Sequence, residues 1–120
     1  VVAHDFGDAI RSIASTVIED DPHVEEVALD LEKYRAFTSG FVGQVKDVLT
    51  VEEKQTLNLG VIAMTVEVAV RFLTDYILGD KYFKTKYPGH NLDRTRNQIA
   101  LTLDIIKNKE KIDEILKKYV

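Results

Sequence analysis

The sequence predicts an all-α domain, a bundle of four to five helices, and three observations carry that prediction. Apolar residues recur at three- and four-residue intervals along most of the chain. Helix boundaries are marked by a capping box at Thr50–Glu53 and by Gly79 after a long apolar run. No stretch shows the strict alternation of a half-buried strand, and there is no internal repeat.

The elements follow in order. Phe6, Ile10, Ile13, Ala14 and Val17 share one face of a first helix, which the run Glu19-Asp20-Asp21-Pro22 should end. Residues 21 to 28 are polar and read as a surface loop. Asp30 is a plausible N-cap for a second helix with Leu31, Tyr34, Phe37, Phe41, Val45 and Val48 on one face. Gly40 and Gly43 inside it imply a close neighbour or a bend, since each costs up to about 1 kcal/mol against alanine. The capping box opens a third helix running to Leu78, apolar almost all round from Leu57 to Ile77 and therefore the expected centre of the domain. Residues 80 to 90 form a loop with Pro88-Gly89 as its turn signal, and Asn91 should cap the last long helix. Leu92, Ile99, Leu103 and Ile106 define the inner face expected of that helix. The apolar period slips across Lys107–Lys111 before Ile112, Ile115, Leu116 and Tyr119, so a kink or restart is expected near Asn108.

Bulk properties narrow the function. The chain has 120 residues, 45% hydrophobic and 30% charged, which suits one globular domain with a modest core. A net charge of −4 with both signs interspersed gives no general attraction to nucleic acid. Cysteine is absent, so disulfides and thiolate metal sites are excluded, and a reducing compartment, the cytoplasm, is expected. No apolar run reaches the length needed to span a bilayer, and no signal-peptide pattern opens the chain. The first residue is Val1 rather than methionine, so a piece of a longer protein is expected.

Charged residues on the apolar helix are the first candidates for chemistry. Glu67, Arg71 and Asp75 fall at i, i+4 and i+8 on one stripe. Buried charges cost several kcal/mol unless paired, so the stripe is either a salt-bridge ladder or the wall of a polar cleft in which Arg71 donates to a ligand. Next comes the loop where Tyr82, Phe83 and Tyr87 alternate with Lys81, Lys84 and Lys86, followed by His90, Arg94 and Arg96. Aromatic faces with cationic donors suit a sugar or a phosphate, or simply pack the loop down. The acidic balance and the absence of a recognition motif argue against nucleic acid. The loop group Asp20, Asp21, His23, Glu25 and Glu26 has no spacing that fixes a coordination geometry, so no metal is assigned. With three histidines and no paired nucleophile, no catalytic residue is assigned either. Asp5-Phe6-Gly7 spells a protein-kinase metal motif, but its companion motifs are missing.

Two segments together resemble a known family. Val1-Val-Ala-His-Asp-Phe-Gly-Asp-Ala-Ile-Arg11 is similar to the stretch after the metal-binding aspartates of aminoglycoside-phosphotransferase-type kinases, specifically those resembling N-acetylhexosamine 1-kinases. The segment from Arg71 through Asp80-Lys-Tyr-Phe-Lys-Thr-Lys-Tyr-Pro-Gly-His-Asn-Leu-Asp-Arg94 resembles the C-terminal signature of the same group. The resemblance spans essentially the whole chain. It implies the C-terminal helical portion of a protein-kinase-like fold, with ATP and magnesium held in an upstream lobe that this sequence does not contain. It also implies Arg71 and Tyr82 as sugar contacts, with Asp75 a third, and Asp5, Asp8 and Glu67 as structural support. The implied parent reaction is phosphoryl transfer from ATP to the anomeric hydroxyl of an amino sugar, and this chain alone would be inactive. Expected partners are the sugar, the upstream lobe and a second copy through exposed apolar surface. The alternative is a stand-alone helical interaction or dimerisation module without catalysis.

Overall fold

The structure, a computed structural model, describes residues 2–45 and 47–120. Their six α-helices are α1 (Val2–Ile13), α2 (Leu31–Val45), α3 (Val51–Gln55), α4 (Leu57–Ile77), α5 (His90–Lys107) and α6 (Lys109–Lys117), with a 3-10 turn at Val24–Glu26. Among the described residues there is no strand, only an isolated antiparallel bridge between Ser15 and Leu29. The chain is an all-α helical bundle. Its six helices are the four expected ones with two interruptions. Thr56 tightens the end of α3, where its amide and hydroxyl both return to the Glu53 carbonyl (3.2 and 2.9 Å), so α3 and α4 are separate. Asn108 leaves helical geometry with its side-chain amide on the Asp104 carbonyl (2.8 Å), which makes the restart into α6.

α4 lies between α1 and α5 and makes its most extensive contacts with those two helices. Its inner stripe is Leu57, Gly60, Val61, Thr65, Ala69 and Phe72, mostly small residues. Small side chains let the backbones close in. A methyl group built at Gly7 of α1 would overlap the Gly60 carbonyl, and one built at Gly60 would overlap the Ala3 carbonyl. Gly40 and Gly43, expected to mark a close neighbour or a bend, have no close neighbour: a methyl at either would meet open space.

Phe6 is fully buried beside this crossing and gathers the aromatic face of α2. Its ring lies 6.2 Å from Tyr34, 6.0 Å from Phe37 and 5.1 Å from Phe41. Ile10, Leu57, Val61, Leu101, Ile105 and Ile112 are fully buried in the same core, each worth about 1.5–3 kcal/mol. Tyr34 also carries a polar tie across three helices. Its hydroxyl donates to Asn58 Oδ1 on α4, the Asn58 amide donates to Asp113 Oδ1 on α6 (2.9 Å), and Lys109 Nζ holds the other Asp113 oxygen (2.6 Å). Burial, more than any other influence, raises the Tyr34 pKa far above the ordinary phenol value, so it remains a donor.

Several boundaries and faces differ from expectation. α1 stops at Ile13, which is exposed, because the chain then turns into a closed loop: Thr16 N donates to the Ala28 carbonyl (2.9 Å) and Asp30 N to the Ala14 carbonyl (2.7 Å). Val48 lies beyond the end of α2 and is exposed. Asp30 does cap α2, with Oδ1 accepting from Glu32 N and Lys33 N, and the Thr50–Glu53 box forms in both directions. Ile99, Leu103 and Ile106 point outward instead of forming the inner face of α5, and Leu92 is half-buried. That face is largely polar. Thr95 and Thr102 turn their hydroxyls onto their own helix (2.8 Å each), while Asn97 donates to the carbonyls of Ile18 and Asp21 in the 14–30 loop (2.9 and 3.1 Å). Hydrogen-bonded in this way, polar residues are buried without the usual penalty, and the aliphatic ones are left to face out.

α4 is, by length and composition, apolar enough to cross a membrane, contrary to the expectation of no such run. Part of that apolar surface is used against α1 and α5, as in the core helix of a globular domain.

The α1–α4 crossing yields a paired prediction. Gly60→Ala should lower unfolding stability by about 1–3 kcal/mol through overpacking, whereas Gly40→Ala should leave it unchanged or raise it by up to about 1 kcal/mol. Urea unfolding followed by circular dichroism measures both, and equal effects would contradict the assigned crossing.

Candidate ligand-binding cleft

The last turn of α4 ends in a Schellman motif. Gly79 and Asp80 both adopt positive φ (97° and 59°), Asp80 N donates to the Asp75 carbonyl (2.8 Å) and Gly79 N to the Tyr76 carbonyl (3.2 Å). The reversal brings the following loop back over α4. There the Asp75 side chain receives it: Oδ1 accepts from Tyr82 N (2.8 Å), and Oδ2 accepts from Phe83 N (3.0 Å) and from the Asn91 amide (2.8 Å). Asp75 is buried. Desolvation, the largest single influence, pushes its pKa up, but the amides of Phe83 and Tyr82, the Asn91 side chain and the Lys81 amide together hold it below the ordinary carboxylate value.

Asn91, expected as a helix cap, is instead buried in the first turn of α5, and Gly89 (φ 83°) takes the N-cap position. The Asn91 amide bridges Asp75 and Asp80, and its oxygen accepts from Arg94 Nη1 (2.8 Å), which also donates to the Lys84 carbonyl (3.0 Å). The Arg94 guanidinium lies 5.4 Å above the Phe72 ring, and Phe83 packs on Phe72 at 4.8 Å.

A second anchor sits at the far end of the loop. His90 is buried, with Nδ1 accepting from Lys86 N (3.1 Å), so the proton belongs on Nε2, which donates to Asp20 Oδ2 (2.8 Å). Tyr87 stacks on this imidazole at 4.6 Å and donates to Asp93 Oδ2 (2.6 Å). That hydrogen bond, followed by desolvation, pushes the Tyr87 phenol up to about 12.

Between α4 and the loop lies an open cleft of about 370 Å³, lined by Val70, Arg71, Thr74, Asp75, Leu78, Tyr82 and Phe83. All three residues expected to contact a sugar, Arg71, Tyr82 and Asp75, meet there. Tyr82 is 81% exposed and stands edge-on to Phe83 at 4.8 Å. The Arg71 side chain is 62% exposed and Nη2 donates to Glu67 (3.1 Å), which leaves its other guanidinium donors free. Glu67 thus orients Arg71 from one turn away. Asp75 plays a different part, because both its oxygens already accept hydrogen bonds from the loop.

Asp5 and Asp8 lie elsewhere. They are exposed on α1, whose closest approach to α4 is at Gly60, eleven residues or about 16 Å of helix before Arg71. Asp8 binds Arg11 (2.9 Å), which also holds Glu19 (2.7 Å) and reaches Gln98 (3.4 Å), so it braces α1 against the 14–30 loop and α5. The kinase-like tripeptide is helical: Phe6 fills the core and Gly7 makes the crossing with α4. Sequence reasoning missed Thr74 and Leu78 as cleft residues, although Arg71, Thr74, Asp75 and Leu78 share the i, i+3, i+4, i+7 face that names them.

Asp21, His23 and Glu26 bring potential metal ligands within 4.8 Å of one another. Asp21 Oδ1 accepts from the His23 backbone amide (2.8 Å) and lies 2.9 Å from His23 Nδ1, and this local turn accounts for the grouping. No protein-family model matches the sequence.

The depressed pKa of Asp75 fixes the sign of a pH effect. Its contribution to stability is fully present above the unfolded-state value near 3.8 and is lost as pH falls through the lower folded value. Asp75→Asn should therefore destabilise the domain at pH 6 and flatten the fall in stability between pH 5 and pH 2 (about the range of the linkage). Urea midpoints measured across that range test this.

Proposed function

We propose that this chain is the substrate-side helical wall of an ATP-dependent sugar kinase, with the cleft between α4 and the 78–89 loop receiving an N-acetylhexosamine-like sugar. The observation that carries the reading is the meeting of Arg71 and Tyr82 at one opening, with Asp75 fixing the Tyr82 backbone. A sugar has hydroxyl rims and apolar C–H faces. A planar guanidinium suits the first, and the aromatic and aliphatic wall of Tyr82, Phe83, Val70 and Leu78 suits the second. The two segments resembling N-acetylhexosamine 1-kinases add support, since the cleft is built from the longer of them.

The cleft offers no free carboxylate. Asp75, the one carboxylate lining the cleft, is engaged by three N–H donors and so does not suit a magnesium ion or a general base. On this reading ATP, magnesium and the base belong to an upstream lobe, and the chain contributes binding and orientation rather than a catalytic group. The absence of cysteine favours a cytoplasmic setting. The second reading, an interaction module without chemistry, rests on the apolar α4–α5 face that the bundle leaves uncovered.

Two measurements test the sugar reading. Amide chemical shifts of Tyr82 and Phe83 should move on titration of the chain with N-acetylglucosamine or N-acetylgalactosamine. In the protein joined to its ATP-binding lobe, Arg71→Ala should lower sugar-dependent ATP turnover by more than about tenfold, roughly 1.4 kcal/mol of transition-state stabilisation. Because Arg71 is exposed, its removal should change stability by less than about 0.5 kcal/mol, so lost activity would not reflect unfolding. Absence of both the shifts and the turnover would refute the assignment.

A further inference from the structure

The His90 imidazole is 1% exposed, and each of its ring nitrogens has one partner. Nδ1 accepts from Lys86 N (3.1 Å) and therefore carries no proton, while Nε2–H donates to Asp20 Oδ2 (2.8 Å). The Tyr87 ring covers one face of the imidazole at 4.6 Å. Other charged groups on the elements around it are bonded elsewhere or lie in solvent. On α5, Asp93 accepts from the Tyr87 hydroxyl (2.6 Å) and Arg94 holds the Lys84 carbonyl (3.0 Å). In the 14–30 loop, Glu19 is bonded to Arg11 and Asp21 to His23, and Glu25 and Glu26 are exposed. The Lys84 and Lys86 side chains are exposed, and Asp75 of α4 is taken up by Tyr82, Phe83 and Asn91.

We propose that His90 is a proton-operated latch: the neutral ring fastens the 78–89 loop at Lys86, and protonation releases that amide while Asp20 stays bound. A proton added to this ring can go only to Nδ1, where it meets the Lys86 N–H donor against donor. The ring is sealed from solvent, so the new proton finds an acceptor only if the Lys86 amide moves away. Nε2–H donates to Asp20 in both states, and more strongly from the cation. Acid therefore leaves the 78–89 loop on its other two side-chain holds, Asp75 at Tyr82 and Phe83 and Arg94 at Lys84. What opens is the stretch about Thr85 and Lys86, while the Tyr82 and Phe83 amides stay in place. The inference does not depend on the sugar reading, since no ligand enters its test.

Nuclear magnetic resonance of the 15N-labelled chain reads both halves of the latch. Long-range spectra of the ring nitrogens should show His90 with a bare Nδ1 and a protonated Nε2 at the alkaline end of histidine's range, and both protonated at the acid end, from about pH 8 to pH 5. With the same midpoint, the Lys86 amide should lose about tenfold in exchange protection, corrected for the intrinsic pH dependence of exchange, the order of one hydrogen bond. Tyr82 and Phe83 should keep theirs. His90→Asn keeps an acceptor near the Nδ1 position with no proton to gain, so Lys86 protection should become independent of pH. His90→Gln reaches only towards Asp20 and should leave Lys86 unprotected throughout. His23→Gln, which removes the exposed histidine of the 14–30 loop, should leave the wild-type response intact. Far-UV circular dichroism checks that each variant folds, and the wild-type readings decide the matter if one does not. A proton on Nδ1 at the alkaline end, a ring that stays neutral to the acid end, Lys86 protection that ignores the ring's titration, or loss of protection at Tyr82 and Phe83 in step with it would each overturn the proposal.

Discussion

The backbone contact between α1 and α4 governs the rest of the bundle. With no side chain at Gly7 or Gly60, the two helices come close enough for carbonyl oxygens to occupy the space a methyl group would need. That approach puts Phe6 and Ile10 deep enough to meet the aromatic face of α2 and the aliphatic residues of α5 and α6. The glycine pair forgoes side-chain packing of its own, and the loss is offset by the large side chains it allows to converge around it. A wider crossing would leave Phe6 short of Phe37 and Phe41, and the α2 contact would weaken first.

At the other end of α4 a single carboxylate organises the loop. Asp75 resembles a functional group when read as part of a charged stripe, yet its geometry is that of an internal ligand for the chain's own amides. This arrangement keeps the cleft open. Because Asp75 holds the loop backbone and Asn91 braces the Asp75 and Asp80 carboxylates, Tyr82 can remain exposed with its phenol uncommitted, and Glu67 steadies Arg71 from one turn away. The residues that hold the loop are therefore different from those left exposed at the opening, and under the proposed function it is the exposed pair that would meet the ligand.

Much of this was legible in the sequence. The all-α class, the Thr50 capping box, the Gly79 stop and the Asn108 restart rest on local backbone chemistry, which a linear pattern records directly. Arg71 and Tyr82 were paired in advance only through the family resemblance, since the residues themselves named a charged stripe and an aromatic loop as separate candidates. What was hidden depends on distant partners. α1 ends early because Thr16 and Asp30 find acceptors on the opposite limb of a loop, which periodicity cannot register. The inner face of α5 was misread because hydrophobicity assigns aliphatic residues to the interior. Asn97, Thr95 and Thr102 are buried only because each has a hydrogen-bond acceptor that the sequence does not reveal. The true crossing glycines were overlooked for a related reason: a glycine's importance lies in what stands opposite.

The buried imidazole of His90 has a consequence for motion. Through Nδ1 it holds the amide of Lys86, and through Nε2 it holds Asp20, so one ring joins the two long connections, 14–30 and 78–89. Each loop is fastened to this one ring on α5 by its own hydrogen bond, 78–89 through Nδ1 and 14–30 through Nε2. The ring that fixes the far end of the cleft loop thus also fixes a stretch of chain some seventy residues (the His90–Asp20 spacing) earlier in the sequence.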